Sequence, residues 1–284
     1  MKQSSIQTTW LTTLAMIAFA SNSVLNRLAL GQKTIDAVSY TTIRLVSGAV
    51  MLFVIANLRK QNGQTALSGS WLSAAFLFLY AITFSFAYLS LTAGTGALIL
   101  FGSVQITMII IALRSGERPQ IMEWLGLILA LGGLVYLVFP GLSSPAPLGS
   151  MLMTIAGFAW GFYTIRGRGS QNPLASTAGN FIYAAPMILL IRLLTLGNVH
   201  ISTNGFLLAA LSGALASGVG YVIWYAALRG LTTTRAAIIQ LSVPILAAWS
   251  GVILLSENVS IRLVVAGILI LGGIGLSVLN RNKV

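Results

Sequence analysis

The sequence is poor in the residues that active sites and metal centres usually need. Its 284 residues include no cysteine, one histidine and four acidic residues, and charged residues make up only 7% of the chain. The lack of cysteine excludes a disulfide, a thiol nucleophile and a thiolate metal site, and His200 alone cannot form a metal cluster. The sequence therefore predicts no catalytic residues, no metal and no cofactor.

Hydrophobic residues dominate instead, at 57% of the chain with a mean hydropathy of +0.92. No soluble protein of this size could bury so much apolar surface in one core. Continuous apolar runs such as residues 121–139 differ from the alternating pattern of a transmembrane β-barrel. The sequence predicts an all-α, multi-pass protein of the plasma or inner cell membrane, with the bilayer as a partner and without a nucleic-acid partner.

Hydropathy and helix breakers divide the chain into ten predicted spans joined by short connections. The predicted spans cover about 10–30, 37–56, 71–91, 95–113, 121–139, 148–166, 174–195, 205–228, 234–255 and 261–279. With a cytoplasmic N-terminus, the inner segments hold eleven basic residues and the outer segments hold four. Because short cytoplasmic loops carry an excess of Lys and Arg, this split predicts that both termini are cytoplasmic.

An internal repeat divides the chain into halves of five spans each. The segment 84–91 lies 140 residues before 224–231, and at the same offset Glu117 meets Glu257 and 127–133 meets 267–273. Because five is odd, the second copy would enter from the opposite side of the membrane as an inverted repeat. The predicted division is 1–140 for the first repeat, 141–146 for a linker and 147–284 for the second repeat. A chance alignment of apolar sequences is the alternative.

The order of motifs resembles that of the drug/metabolite transporter superfamily, specifically its EamA-type ten-helix exporters. The resemblance covers nearly the whole chain and is carried by 42–45 in the second span, Pro244 in the ninth, 115–118 and 255–258 after the fourth and ninth, and the Gly pairs 132–133 and 272–273. Two departures are 20–23, where many members have Trp-Gly or Trp-Ser, and Val104, where a proline matching Pro244 is missing. The resemblance implies a central cavity lined by the first, third, fourth, sixth, eighth and ninth spans, and a scaffold role, with a homodimer as one option, for the last helix of each half.

Aromatic and amide side chains inside these spans are the candidates for solute contact. An aromatic stripe of period four runs along the third span from Phe76 to Tyr88, and the eighth span carries a similar face. The predicted substrate-binding residues are Asn22, Tyr80, Phe84, Trp160, Tyr163, Trp224, Gln240 and Arg44. Packing between helices is the alternative for each aromatic ring, and interhelical hydrogen bonding is the alternative for each amide.

Arg44 is the only charged residue well inside a predicted span. It can bind a substrate carboxylate, extend towards the interface or satisfy carbonyl groups at a helix break. All four carboxylates fall at span ends or in loops. Proton-coupled carriers commonly use a buried carboxylate or histidine, so a protonatable coupling site is disfavoured.

The sequence thus predicts a transporter that moves a small metabolite, amino-acid-like or another small polar or aromatic solute, by alternating access through a midplane cavity, with export as its direction. A small multidrug exporter is the alternative within carriers, although such proteins usually have a membrane-buried Glu that is missing here. A membrane-embedded enzyme would need a polar cluster at one interface, and a regulatory subunit would have a uniformly apolar interior. We expect a transporter, not an enzyme.

Overall fold

The fold was obtained as a computed structural model that describes residues 5–58, 67–91, 93–138, 146–195, 199–255 and 261–279. The described residues form ten helical segments, which we number α1 to α10, and one isolated bridge between Ile35 and Ile201. The segments are α1 (Ser5–Asn26, continued by a π-helical turn Arg27–Gly31), α2 (Ala37–Leu58), α3 (Trp71–Ala87), α4 (Ala93–Arg114), α5 (Ile121–Val138), α6 (Pro147–Arg168), α7 (Pro173–Leu194), α8 (Thr203–Leu211, π-helical Ser212–Val219 and Gly220–Leu228), α9 (Thr233–Gln240 and Ser242–Leu255) and α10 (Ile261–Leu279).

Each predicted span corresponds to one of these segments, which supports the prediction of ten helices. The sequence did not predict the π-helical stretches of α1 and α8 or the interruption of α9 after Gln240. The interruption has a local cause, because the ring nitrogen of Pro244 cannot donate to the carbonyl of Gln240 four residues earlier. The predicted third span was too long by four residues, since α3 ends at Ala87.

Polar side chains fix where several helices begin. Ser70, Asn172, Ser202 and Thr232 each accept a hydrogen bond from the backbone nitrogen three residues later, at 3.1, 3.1, 3.1 and 3.2 Å. Such caps satisfy backbone donors that have no partner within the helix.

The packing of the helices follows the internal repeat. α1 packs against α8 and α9 of the second half, while its counterpart α6 packs against α3 and α4 of the first half. The pairs α2 with α7 and α5 with α10 each join a helix to its own counterpart. This is the pattern produced when two copies of a five-helix unit are exchanged by a pseudo-two-fold axis.

Small residues allow the closest approaches between helices. Gly133 of α5 and Gly273 of α10 lie at the contact between those helices, where an added Cβ would approach Leu269 Cβ to 2.8 Å and the backbone nitrogen of Ala130 to 2.9 Å, respectively. A Cβ on Gly213 of α8 would overlap the carbonyl oxygen of Arg44 in α2. Gly133, Gly273 and Gly213 therefore serve packing between helices, whereas Gly132 and Gly272 have open space around them.

The outer surface of the bundle is apolar. Among the described helices, α1 with its π-helical turn, α2, α6, α7 and α8 are long and apolar enough to cross a membrane by themselves, and α3, α4, α5, α9 and α10 contain shorter apolar stretches. Large apolar side chains such as Leu14, Ile17 and Phe53 are about half exposed. This surface suits lipid rather than water.

Candidate functional site

A small pocket, with a cavity volume of about 20 Å³, lies where the two repeats meet. It is bounded by α1, α3, α4, α6, α8 and α9, the six helices that the resemblance implies for a central cavity. The lining residues are Phe19, Asn22, Ser23, Tyr80, Phe84, Leu100, Phe101, Trp160, Tyr221 and Val243. Aromatic rings thus form most of the wall.

Four of the eight residues predicted to bind substrate line this pocket, namely Asn22, Tyr80, Phe84 and Trp160. The other four, Arg44, Tyr163, Trp224 and Gln240, are buried behind the wall. The sequence reasoning did not select Phe19, Ser23, Leu100, Phe101, Tyr221 or Val243. For Phe19 a signal was present, because it lies three residues before Asn22, a spacing that places the two residues on the same helical face.

Trp160 of α6 stands at the centre of the aromatic wall. Its ring centroid lies 5.3 Å from that of Phe19, 5.0 Å from Tyr80 and 4.7 Å from Tyr221. These distances are typical of edge and tilted ring contacts, which hold rings in one orientation. The wall thereby joins helices of both repeats through a single indole.

Gln240 determines how that indole is oriented. Its side-chain oxygen accepts a hydrogen bond of 2.8 Å from Nε1 of Trp160. Its amide nitrogen lies 3.2 Å from Met108 Sδ and 3.3 Å from the carbonyl oxygen of Ala236. The amide is fully buried, so Gln240 positions Trp160 from behind and does not face the pocket.

Arg44 of α2 is also buried behind the wall, with 1% of its surface exposed. Its Nε donates to Ser217 Oγ at 2.9 Å, and its Nη2 donates to the hydroxyl oxygens of Tyr221 at 2.9 Å and Tyr80 at 3.4 Å. The guanidinium carbon lies 5.4 Å from the ring centroid of Tyr80 and 5.9 Å from that of Phe84. Arg44 therefore contacts three residues of the pocket wall.

Trp224 and Tyr163 belong to the packing around the pocket. The ring of Trp224 is fully buried and meets Phe19 edge-on at 5.8 Å. Tyr163 lies between Trp160 at 5.8 Å and Tyr225 at 5.5 Å, and its carbonyl accepts a 3.1 Å bond from the Tyr225 hydroxyl. Neither side chain reaches the pocket in this structure.

The pocket wall also contains one amide. Asn22 of α1 accepts a hydrogen bond on Oδ1 from Ser212 Oγ, so its NH2 group is the part left to meet a solute. The hydroxyl of Ser23 donates to the carbonyl of Phe19 at 3.3 Å. Among the described lining residues there is no carboxylate.

The described carboxylates lie instead at the ends of helices. Glu117, between α4 and α5, accepts bonds from the backbone nitrogen and hydroxyl of Thr233 at 3.0 and 2.7 Å and from Arg168 at 2.9 Å. Although desolvation opposes the shift, these donors lower the pKa of Glu117 to about 2. Glu123 forms a separate ion pair of 2.8 Å with Arg235. We call this end of the bundle, where α4, α6 and α8 finish and α5 and α9 begin, the basic end.

The described residues contain no group of three His, Cys, Asp or Glu side chains able to hold a metal ion. The pocket presents aromatic faces with hydroxyl and amide groups at its edge, and its cavity must widen before it can hold a solute larger than about one water molecule.

Comparison with known proteins places this arrangement in a family. The sequence model of the EamA-like transporter family matches residues 8–139 and 147–279. An uncharacterised protein of Pseudomonas aeruginosa is 51% identical over 270 residues, covering 95% of this chain and 94% of the relative. An uncharacterised transporter of Archaeoglobus fulgidus is 27% identical, with 95% and 96% coverage.

Two more comparisons bear on the fold and the family. A probable amino-acid metabolite efflux pump of Salmonella typhimurium is 28% identical over 214 residues, covering 70% of this chain and 72% of the relative. A crystal structure at 18% identity superposes with a TM-score of 0.81 over 99% of this chain and 100% of the other, and it supports the fold. Since the family model spans both halves of the bundle, the chain is a multi-pass membrane protein that belongs to the EamA-like transporter family.

Proposed function

We propose that the chain carries a small metabolite across the cell membrane by alternating access through the aromatic pocket, with export as its direction. The observation that carries the proposal is the position of the pocket, which lies between the two repeats and is lined by three helices from each. A solute held there is released to either side when one repeat tilts against the other.

The solute class follows from the pocket wall and from one relative. Aromatic faces bind flat or apolar groups, whereas the amide of Asn22 and the hydroxyl groups of the tyrosines bind polar groups. The Salmonella relative is named as a probable amino-acid metabolite efflux pump. We propose an amino-acid-like or another small polar or aromatic solute, with Asn22, Tyr80, Phe84 and Trp160 in contact and with Arg44, Tyr163, Trp224 and Gln240 behind them.

The composition of the wall supports alternation between two states. Seven lining residues come from the first repeat and three from the second. At the offset of 140 residues, Phe84 corresponds to the buried Trp224 and Leu100 to the buried Gln240. Exchanging the roles of the repeats would give an opposite state in which Trp224 and Gln240 line the cavity.

The orientation of the chain in the membrane is proposed from the distribution of its basic residues. The basic end contains Arg114, Arg118, Arg166, Arg168, Arg229 and Arg235, which the positive-inside rule assigns to the cytoplasm. Both termini are then cytoplasmic and the repeats are inverted.

A counterflow assay in proteoliposomes tests the function. Each vesicle preparation is loaded with one unlabelled candidate solute, and entry of the same solute in labelled form is measured. Vesicles with the wild-type protein should take up the label, whereas protein-free vesicles and vesicles with the Trp160→Ala variant should not. Net flux of a neutral solute should run downhill and respond little to an imposed pH gradient. Accumulation of a non-ionising solute by a pH gradient alone would contradict downhill transport without proton coupling. Failure of every candidate solute to exchange would contradict transport of this class of solute.

A further inference from the structure

The charge balance behind the pocket is uneven. Arg44 is buried in the protein interior, and in the described part of the chain no ion pair joins it to a carboxylate. Its Nη1 atom is buried without a hydrogen-bond partner among the described residues. A buried charge without a counter-charge is unfavourable, and an ionisable residue inside the membrane is therefore a candidate for a functional role such as binding a solute of opposite charge.

The neighbours of Arg44 transmit its charge to the pocket. The hydroxyl oxygens of Tyr80 and Tyr221 each use one lone pair to accept from the guanidinium, and each keeps an O–H proton that it can donate. Both residues line the pocket, so these O–H groups, strengthened as donors by the cation behind them, are the candidates to bind a solute.

The rest of the wall is complementary to one type of molecule. The NH2 group of Asn22 adds a further donor, while Phe19, Phe84, Phe101 and Trp160 supply apolar faces. A cationic solute would find no acidic side chain among the described lining residues.

We propose that the solute is an organic anion with one carboxylate on an apolar body, held by Tyr80 and Tyr221 with Arg44 as the fixed positive charge behind them, and that it crosses with its charge. This assignment rests on the proposed carrier function and adds the sign of the solute's charge. Since the described carboxylates and His200 lie at the ends of helices or in loops and not near the middle of a span, transport of the anion moves net charge. A membrane potential of 100 mV, positive inside the vesicle, then limits accumulation of a monovalent anion inside the vesicle to about 50-fold.

Binding to the purified full-length protein tests the sign of the charge. The probes are phenylacetate, phenylacetamide and phenethylamine, which share an aromatic body and carry charges of about −1, 0 and +1 near neutral pH. We expect phenylacetate to bind at least about tenfold more tightly than phenylacetamide, and phenethylamine to bind weakest. Equal or tighter binding of the amide or the amine, or no binding of any of the three, would overturn the assignment.

Conservative variants identify the groups responsible. Tyr80→Phe and Tyr221→Phe keep the rings, and each should weaken phenylacetate binding about tenfold or more while changing phenylacetamide binding less. Tyr183→Phe is the matched control, because Tyr183 stacks on Trp71 at 4.8 Å and does not line the pocket. Arg44→Lys should keep the preference for the anion and Arg44→Gln should lose it. Equal losses for both probes in the two Tyr variants would assign the Arg44 contacts to helix packing alone.

Transport of the same probes separates this inference from the carrier proposal. In proteoliposomes the initial uptake of phenylacetate, above the protein-free background, should rise with an inside-positive potential, and uptake of phenylacetamide should not. If phenylacetate binds as expected but never exchanges, the carrier proposal fails and the charge assignment stands. If phenethylamine or phenylacetamide exchanges faster than phenylacetate, the carrier proposal stands and the charge assignment fails.

Discussion

Trp160 of α6 and Gln240 of α9, both in the second repeat, are joined by a hydrogen bond of 2.8 Å from the indole nitrogen to Oε1 of the amide. Gln240 is the last residue of the first part of α9, directly before the interruption that Pro244 causes. The bond therefore ties the indole of Trp160, the central ring of the wall, to α9 at the point where that helix is interrupted.

Replacing Gln240 by Met should leave the buried indole N–H without an acceptor. We expect a loss of about 1–3 kcal/mol in stability, together with weaker solute binding. Chemical unfolding in detergent and solute titration on the same preparations measure both. Trp160→Phe is the control background, because the indole N–H is absent there. If Gln240→Met costs as much in that background as in the wild type, the hydrogen bond is not the cause.

Glu117 provides a pH-dependent contact at the basic end. Its pKa is lowered in the folded protein to about 2, so its stabilising effect is fully present above the unfolded pKa near 4.5 and is lost as the pH falls towards 2. The melting temperature of Glu117→Gln should lie below that of the wild type at neutral pH, and the difference should close between about pH 4.5 and 2. Thr233→Val removes the hydroxyl donor to Glu117. In that background the difference in melting temperature between Glu117 and Gln at position 117 should be smaller. A difference that stays constant down to pH 2 would mean that the carboxylate charge has no part in it.

The sequence alone predicted the number and order of the helices, because span length and short connections leave few other solutions. It could not distinguish wall from packing among the aromatic residues. Phe84 and Trp224 occupy equivalent positions of the two repeats, yet Phe84 lines the pocket and Trp224 does not. The π-helical stretch Ser212–Val219 lies just before Trp224 and changes the helical phase of the residues that follow it, and such a stretch has no clear signal in residue periodicity.

The proposed exchange of roles between the repeats predicts unequal accessibility of positions 84 and 224. Because the natural chain has no cysteine, Phe84→Cys and Trp224→Cys each introduce a single reactive thiol. In the state described here a small thiol reagent should modify Cys at 84 faster than Cys at 224.

A cross-link between cysteines introduced at positions 117 and 233 supplies the control, because it would hold the basic end in the arrangement described above and prevent the exchange of roles. The cross-link should abolish the slow modification of the cysteine at 224 and leave modification of the cysteine at 84 unchanged. Unchanged modification at 224 after cross-linking would contradict alternation around this pocket.

Labelling from outside the cell tests the orientation. Single cysteines at 116 and 168 should be protected in intact cells, and a cysteine at 33 should react. Four further positions lie outside the described residues and depend on the sequence alone: 60 and 283 should be protected, and 143 and 258 should react. A protected cysteine at 143 would overturn the count of ten spans.

The π-helical stretch Ser212–Val219 has no counterpart in the first repeat, where the equivalent residues 72–79 lie within the regular helix α3. In the proposed alternating-access cycle, two identical repeats would make the inward-open and outward-open conformations equivalent by a two-fold rotation, with equal free energy. Irregularities that differ between the repeats, such as this stretch of α8, would remove that equivalence. The proposed carrier should then favour one conformation when it is empty and bind the same solute with different apparent affinity from its two sides. Net flux still vanishes when the electrochemical potentials are equal, and the asymmetry determines only how fast that balance is reached from each side.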